Sequence, residues 1–101
     1  MVENRFEIDD TSIFKRICGY KDANLKKIEE LAGVDIIPRG TTLIVKAVKE
    51  KNDLVMKLLH VMSDFIYANG KDYEYDEFDL KYIIATVMSG RNFKADDIGR
   101  L

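Results

Sequence analysis

The run Arg5-Phe6-Glu7-Ile8 alternates polar and apolar side chains, the pattern of a short strand with Phe6 and Ile8 turned to a core. Asp9-Asp10-Thr11-Ser12 breaks the alternation and offers N-cap chemistry, after which Ile13, Phe14, Ile17 and Cys18 recur at helical spacing. The spacing predicts a helix from about Ser12 to Cys18, ended by Gly19. Leu25, Ile28 and Leu31, with Ala32, form one face of a second helix, while Lys26, Lys27, Glu29 and Glu30 point to water. Asp22 or Asn24 is its expected cap, and Gly33 its stop.

Two β-branched runs, Val34-Asp35-Ile36-Ile37 and Thr42-Leu43-Ile44-Val45-Lys46, flank the turn-rich Pro38-Arg39-Gly40-Thr41 and predict a hairpin. After the polar break Lys49-Glu50-Lys51-Asn52-Asp53, the positions Leu54, Val55, Leu58, Leu59, Met62, Phe65 and Ile66 keep a helical period. That helix should end near Asn69-Gly70. Asp76 then caps a last helix in which Leu80, Ile83, Ile84, Val87 and Met88 fall at i, i+3, i+4, i+7 and i+8, with Gly90 as its stop. Its expected partner is the preceding helix or the open end of the sheet. The order is strand, helix, helix, strand, strand, helix, then an added C-terminal helix. This is an α+β class with a three-stranded sheet packed on helices, a single unit over residues 1–90. Residues 91–101 have no periodicity and read as a tail or a connection to an absent domain.

Composition narrows the picture. A chain of 101 residues that is 47% apolar holds about one core. No apolar run approaches the roughly 18 residues of a membrane helix, and Met1-Val2-Glu3-Asn4 lacks the regions of a signal peptide, so a cytoplasmic location and no membrane partner are expected. A single cysteine and a single histidine make neither an internal disulfide nor a zinc cluster, and no metal or other cofactor is expected. Cys18, beside Ile17 on an apolar face, reads as a core residue, since no base for a nucleophile is at hand. His60 reads as a surface residue. The formal charge of -2 argues against a surface wholly given to nucleic acid, but the charges are unevenly placed. Lys15, Arg16, Lys21, Lys26 and Lys27 lie together with one acid, Asp22; Asp72, Glu74, Asp76, Glu77 and Asp79 lie together with no base. The acidic stretch lacks the spaced ligands and central glycine of a calcium loop, and reads as a solvated, capped turn whose Tyr73, Tyr75 and Phe78 anchor the last helix or meet a partner.

The candidate chemistry lies between the first two helices. Ile17-Cys18-Gly19-Tyr20-Lys21-Asp22-Ala23-Asn24-Leu25-Lys26-Lys27-Ile28 has the spacing of a KH-type motif, with Asp22 where the second glycine would stand. In such a loop glycine lets backbone approach a phosphate, the next helix presents unpaired N–H groups, and lysines add charge. Gly19, Lys21, Lys26 and Lys27 supply parts of that device, Tyr20 offers a ring for a base, and Arg39 on the hairpin meets a base or a further phosphate. Asp22 opposes it by like-charge repulsion, and as a helix cap it has a structural explanation without any ligand.

Five motifs in order resemble the N-terminal domain of PhoH-like proteins: Ile17-Cys18-Gly19, Asn24-Leu25-Lys26-Lys27-Ile28-Glu29, Gly33-Val34, Ile36-Ile37-Pro38-Arg39-Gly40 and the acid-capped helix from Asp76 to Met88. The resemblance implies a KH-like fold placed before a P-loop ATPase domain, in cytoplasmic bacterial proteins linked to phosphate starvation and acting on RNA. No Gly-x-x-x-x-Gly-Lys-Ser/Thr string occurs here, so ATP hydrolysis is not expected of these residues. The chain is then either a truncated piece or a stand-alone version. Two functions follow as expectations. One is an accessory module binding single-stranded RNA beside an ATPase domain. The other is a protein-interaction or homo-oligomerisation domain whose glycine loop has lost its ligand.

Overall fold

A computed structural model of the chain describes residues 1–91. The elements are β1 (Val2–Glu7), α1 (Thr11–Cys18), α2 (Ala23–Ala32), β2 (Asp35–Arg39), β3 (Thr42–Ala47), α3 (Lys49–Asn69) and α4 (Glu77–Met88), with a single 3-10 turn at Tyr20–Asp22. Apart from Arg91, the expected tail lies outside the described residues.

The α+β class is observed. β3 lies between β1 and β2 in an antiparallel sheet, with Phe6 opposite Leu43, and Val45 between Asn4 and Ile36. The period of two along each strand turns Phe6, Leu43, Val45, Ala47 and Ile36 toward the helices, where they are buried. Arg5, Ile37, Ile44 and Arg39 occupy the other face. The outer edge of β2 is blunted in two ways: Pro38 has no N–H to offer, and the Glu29 carboxylate of α2 accepts the Ile36 N–H at 2.9 Å.

Ile13 and Ile17 of α1, Leu25 and Ile28 of α2, and Leu58, Leu59, Met62 and Ile66 of α3 close over the sheet as one apolar core. α4 adds Leu80, Ile83, Ile84 and Val87, packing on α2 and α3, so of its two expected partners the preceding helix is met.

Three expectations are corrected. Pro38 and Arg39 belong to β2, so the connection to β3 is only Gly40-Thr41; an edge strand tolerates the proline. Leu31 is 48% exposed, because Leu25, Ile28 and Ala32 already fill the buried face of α2. The run Lys49 to Asp53 is the start of α3 and not a break. Its Asn52 is wholly buried: the amide nitrogen donates to Val2 O at 2.8 Å and Val45 O at 3.0 Å, and its oxygen accepts from Asn4 Nδ2 at 2.7 Å. A polar side chain tolerates burial when each of its groups finds a partner in this way.

Candidate nucleic-acid interface

The site begins with the cap of α1. Asp10 Oδ1 accepts from the Ser12 N–H at 2.8 Å and the Ile13 N–H at 3.3 Å, and Oδ2 pairs with the Lys71 ammonium from the α3–α4 connection. The hydrogen bond from Lys71, helped by the two helix N–H groups, holds the Asp10 carboxyl below its ordinary range.

Gly19 ends α1 at φ 79 and ψ 172, a backbone setting open to glycine alone. Space makes the same demand, since a Cβ there would fall 2.7 Å from Asn24 Cγ. Asn24 sits so close because its Nδ2 donates to Arg16 O at 3.2 Å, closing the last turn of α1. The chain then makes its 3-10 turn, with Asp22 N–H donating to Gly19 O at 3.1 Å, and passes through left-handed backbone at Lys21 (φ 53) and Asp22 (φ 62).

This geometry overturns the expected capping of α2. Neither Asp22 nor Asn24 accepts from its first turn. A capping side chain needs an extended backbone at the cap position; the left-handed one at Asp22 aims the carboxylate elsewhere, and Asn24 is committed to α1.

Between this turn and the α3–α4 connection lies a cavity of about 530 Å³. It is lined by Gly19, Tyr20 and Lys21 of the turn, Lys15 and Arg16 of α1, Asn24 of α2, and Glu74 and Tyr75 of the connection. Tyr20 is 83% exposed, and Lys21 Nζ stands 5.4 Å from its ring centroid. Tyr75 is buried, its hydroxyl donating to Met62 O at 2.7 Å, and burial pushes its ionisation up. Tyr73 packs edge-on to Phe65 with ring centroids 5.0 Å apart, and burial, with Asp79 nearby, pushes its hydroxyl up to about 12. These two rings anchor the connection to α3. Phe78 does not, being 86% exposed.

The basic and acidic stretches meet in space. Arg16 Nη1 donates to Glu74 Oε2 at 2.6 Å while its Nε donates to Lys71 O at 3.1 Å. Lys27 Nζ is 3.4 Å from Glu30 and 3.9 Å from Glu77. Asp76 caps α4 through the Asp79 N–H at 2.8 Å. Lys15, Lys21 and Lys26 are exposed and have no ion pair among the described residues.

Of the six residues the sequence nominates, the cavity gathers Gly19, Tyr20 and Lys21. Lys26 and Lys27 lie along α2 outside it, and Arg39 stands at the end of β2, also outside it. Lys15 and Arg16 were visible in the basic stretch, and Glu74 and Tyr75 in the acidic one, but the meeting of the two stretches carries no local signal: Glu74 is 58 residues from the arginine it pairs with. Cys18 is buried, and burial, reinforced by the Asp22 carboxylate, pushes its thiol up to about 12, which leaves it protonated and unreactive at neutral pH. His60 is exposed and lays its ring edge-on to Phe6 at 4.8 Å. Among the described residues no group of His, Cys, Asp and Glu is placed to hold a metal ion, and no helix is long and apolar enough to cross a membrane. No family model, curated protein or solved structure matches this chain, so the reading of the cavity stands on its geometry.

Proposed function

We propose that the chain is a KH-like module that binds single-stranded RNA in the cavity between the α1–α2 turn and the α3–α4 connection. The PhoH-like kinship implied by its motifs, with an ATPase domain elsewhere and no catalysis in this module, is part of the same proposal. The observation that carries it is the exposed Tyr20 ring at the mouth of a cavity flanked by Lys15 and Lys21. A base stacked on such a ring gains roughly 1–3 kcal/mol, while the lysines attract phosphate. The order strand, helix, helix, strand, strand, helix, with β3 central, supports the KH-like assignment. Two features moderate the affinity: the Asp22 carboxylate beside the turn, and the Asp22 N–H already donating to Gly19 O.

Fluorescence anisotropy with labelled short single-stranded RNA tests the proposal. For two phosphate contacts, affinity falls roughly fivefold for a threefold rise in salt. Tyr20→Ala should weaken binding about tenfold, and Lys21→Ala should flatten the salt dependence. Binding that ignores both changes would sink the assignment to this cavity. The interaction-domain reading has in its favour the exposed Phe78 and Tyr82, one turn apart on α4. It would be selected by a mass that rises with concentration in sedimentation velocity, together with no RNA binding.

A further inference from the structure

We infer that Glu74 reads the base, so that the cavity takes bases carrying an exocyclic amine, namely adenine, cytosine or guanine, in preference to uracil. The inference rests on the RNA-binding reading and adds which nucleotide is held.

Two observations combine. First, Glu74 lines the same cavity as the Tyr20 ring. A base laid on that ring shares the cavity with the Glu74 carboxylate. Second, the carboxylate is fixed at one oxygen only: Arg16 Nη1 holds Oε2 at 2.6 Å, and no partner holds Oε1 among the described residues. Arg16 is itself braced by Lys71 O at 3.1 Å, so the pair is positioned by main chain as well as by charge.

The free Oε1 of Glu74 selects for donors. Adenine N6, cytosine N4 and guanine N2 each carry N–H groups that a carboxylate can accept, as glutamate and aspartate accept from cytosine N4 in duplex readout. Uracil presents O2 and O4 on either side of its single N3–H, and those oxygens face a carboxylate with like polarity. A hydrogen bond to a charged acceptor is stronger than a neutral one, and water at the 78% exposed Glu74 side chain moderates that gain. The same Arg16–Glu74 pair also explains why the arginine nearest the cavity is not itself a free phosphate contact.

The test is anisotropy with labelled short homopolymers of adenosine, cytidine and uridine at low salt, on the wild-type chain, Glu74→Gln and Glu74→Ala. Circular dichroism and thermal melting establish that each variant is folded. The wild type should bind the adenosine and cytidine oligomers about tenfold more tightly than the uridine oligomer. Glu74→Gln, whose amide offers a donor to uracil O4, should bring the uridine oligomer to within about twofold of the others, and Glu74→Ala should lower the adenosine and cytidine affinities toward the uridine value. Equal tightening toward all three in both variants would show that the carboxylate only screens Arg16, and would overturn the inference. A preference that survives both substitutions would overturn it too. Wild-type binding without any base preference defeats this inference alone, whereas no binding of any oligomer defeats the RNA reading and this inference with it.

Discussion

Asp22 decides how the α1–α2 turn should be understood. As a side chain it is an N-cap candidate, and on that basis replacing it would destabilise α2. Its backbone reverses the sign. With φ at 62 and no hydrogen bond from its side chain to the helix, it holds a left-handed conformation that glycine adopts without strain. Such a conformation costs a non-glycine residue on the order of 1 kcal/mol or more, and part of the relief is offset by the greater freedom of glycine in the unfolded chain. Asp22→Gly should therefore stabilise the protein, by about 0.5 kcal/mol in urea unfolding, and tighten RNA binding by removing a negative charge from the turn. A loss of stability would show that the carboxylate makes a contribution the cap geometry does not reveal. Lys21 shares the left-handed setting at φ 53 yet carries the cation over Tyr20, so the same change there would relieve strain while removing a ligand contact.

At the scale of elements, the start of α3 shows what holds helix to sheet. Residues Lys49 to Asp53 are polar enough to read as a loop, but Asn52 reaches back to β1 and β3 and satisfies groups on both strands. Asn52→Ala removes all three hydrogen bonds and leaves the Asn4 amide and a buried carbonyl without partners. The expected loss is about 2–3 kcal/mol, measured as a lower urea midpoint, since a buried group left unpaired loses its desolvation energy with no return. A loss below about 0.5 kcal/mol would mean that water replaces the amide. Leu31 makes the complementary point. It falls on the helical period of α2, yet Leu25, Ile28 and Ala32 occupy the buried face and Leu31 is left half exposed.

Over the whole molecule, opposite charges far apart in sequence join α1 to the α3–α4 connection through Asp10 with Lys71 and Arg16 with Glu74. The Arg16–Glu74 contact lines the cavity, and the Asp10–Lys71 contact ties the same two segments together outside it. The Asp10 carboxyl is lowered in the folded state, so the stability it contributes is present above its ordinary value of 3.8 and disappears as pH falls through the lower folded value. Lys71 is raised, so its contribution holds below its ordinary value of 10.5 and is lost as pH rises through the higher folded value. Asp10→Asn keeps an amide able to cap α1 but removes the charge. Its urea midpoint should lie below that of the wild type at neutral pH, and the difference should close as pH falls below 3.8. A difference that persists in acid would show that the carboxylate acts through its hydrogen bonds to the helix and not through its charge.

What the sequence determined by itself was the set of elements and most of their buried faces. Periodicity is a local property, and Phe6, Ile13, Ile17, Leu25, Ile28, Leu58 and Ile83 each declare their side within a few neighbouring residues. Gly19, Tyr20 and Lys21 were legible for the same reason, as contiguous residues of one turn. Only the tertiary structure decided the rest. The meeting of Arg16 with Glu74, the burial of Asn52, the left-handed Asp22 and the position of Arg39 outside the cavity all depend on which surfaces the packed core brings together. A side chain's partner across 50 or 58 residues leaves no mark on its neighbours in the chain. Charge and polarity are written residue by residue, but whether a charge is free or already answered is a property of the fold.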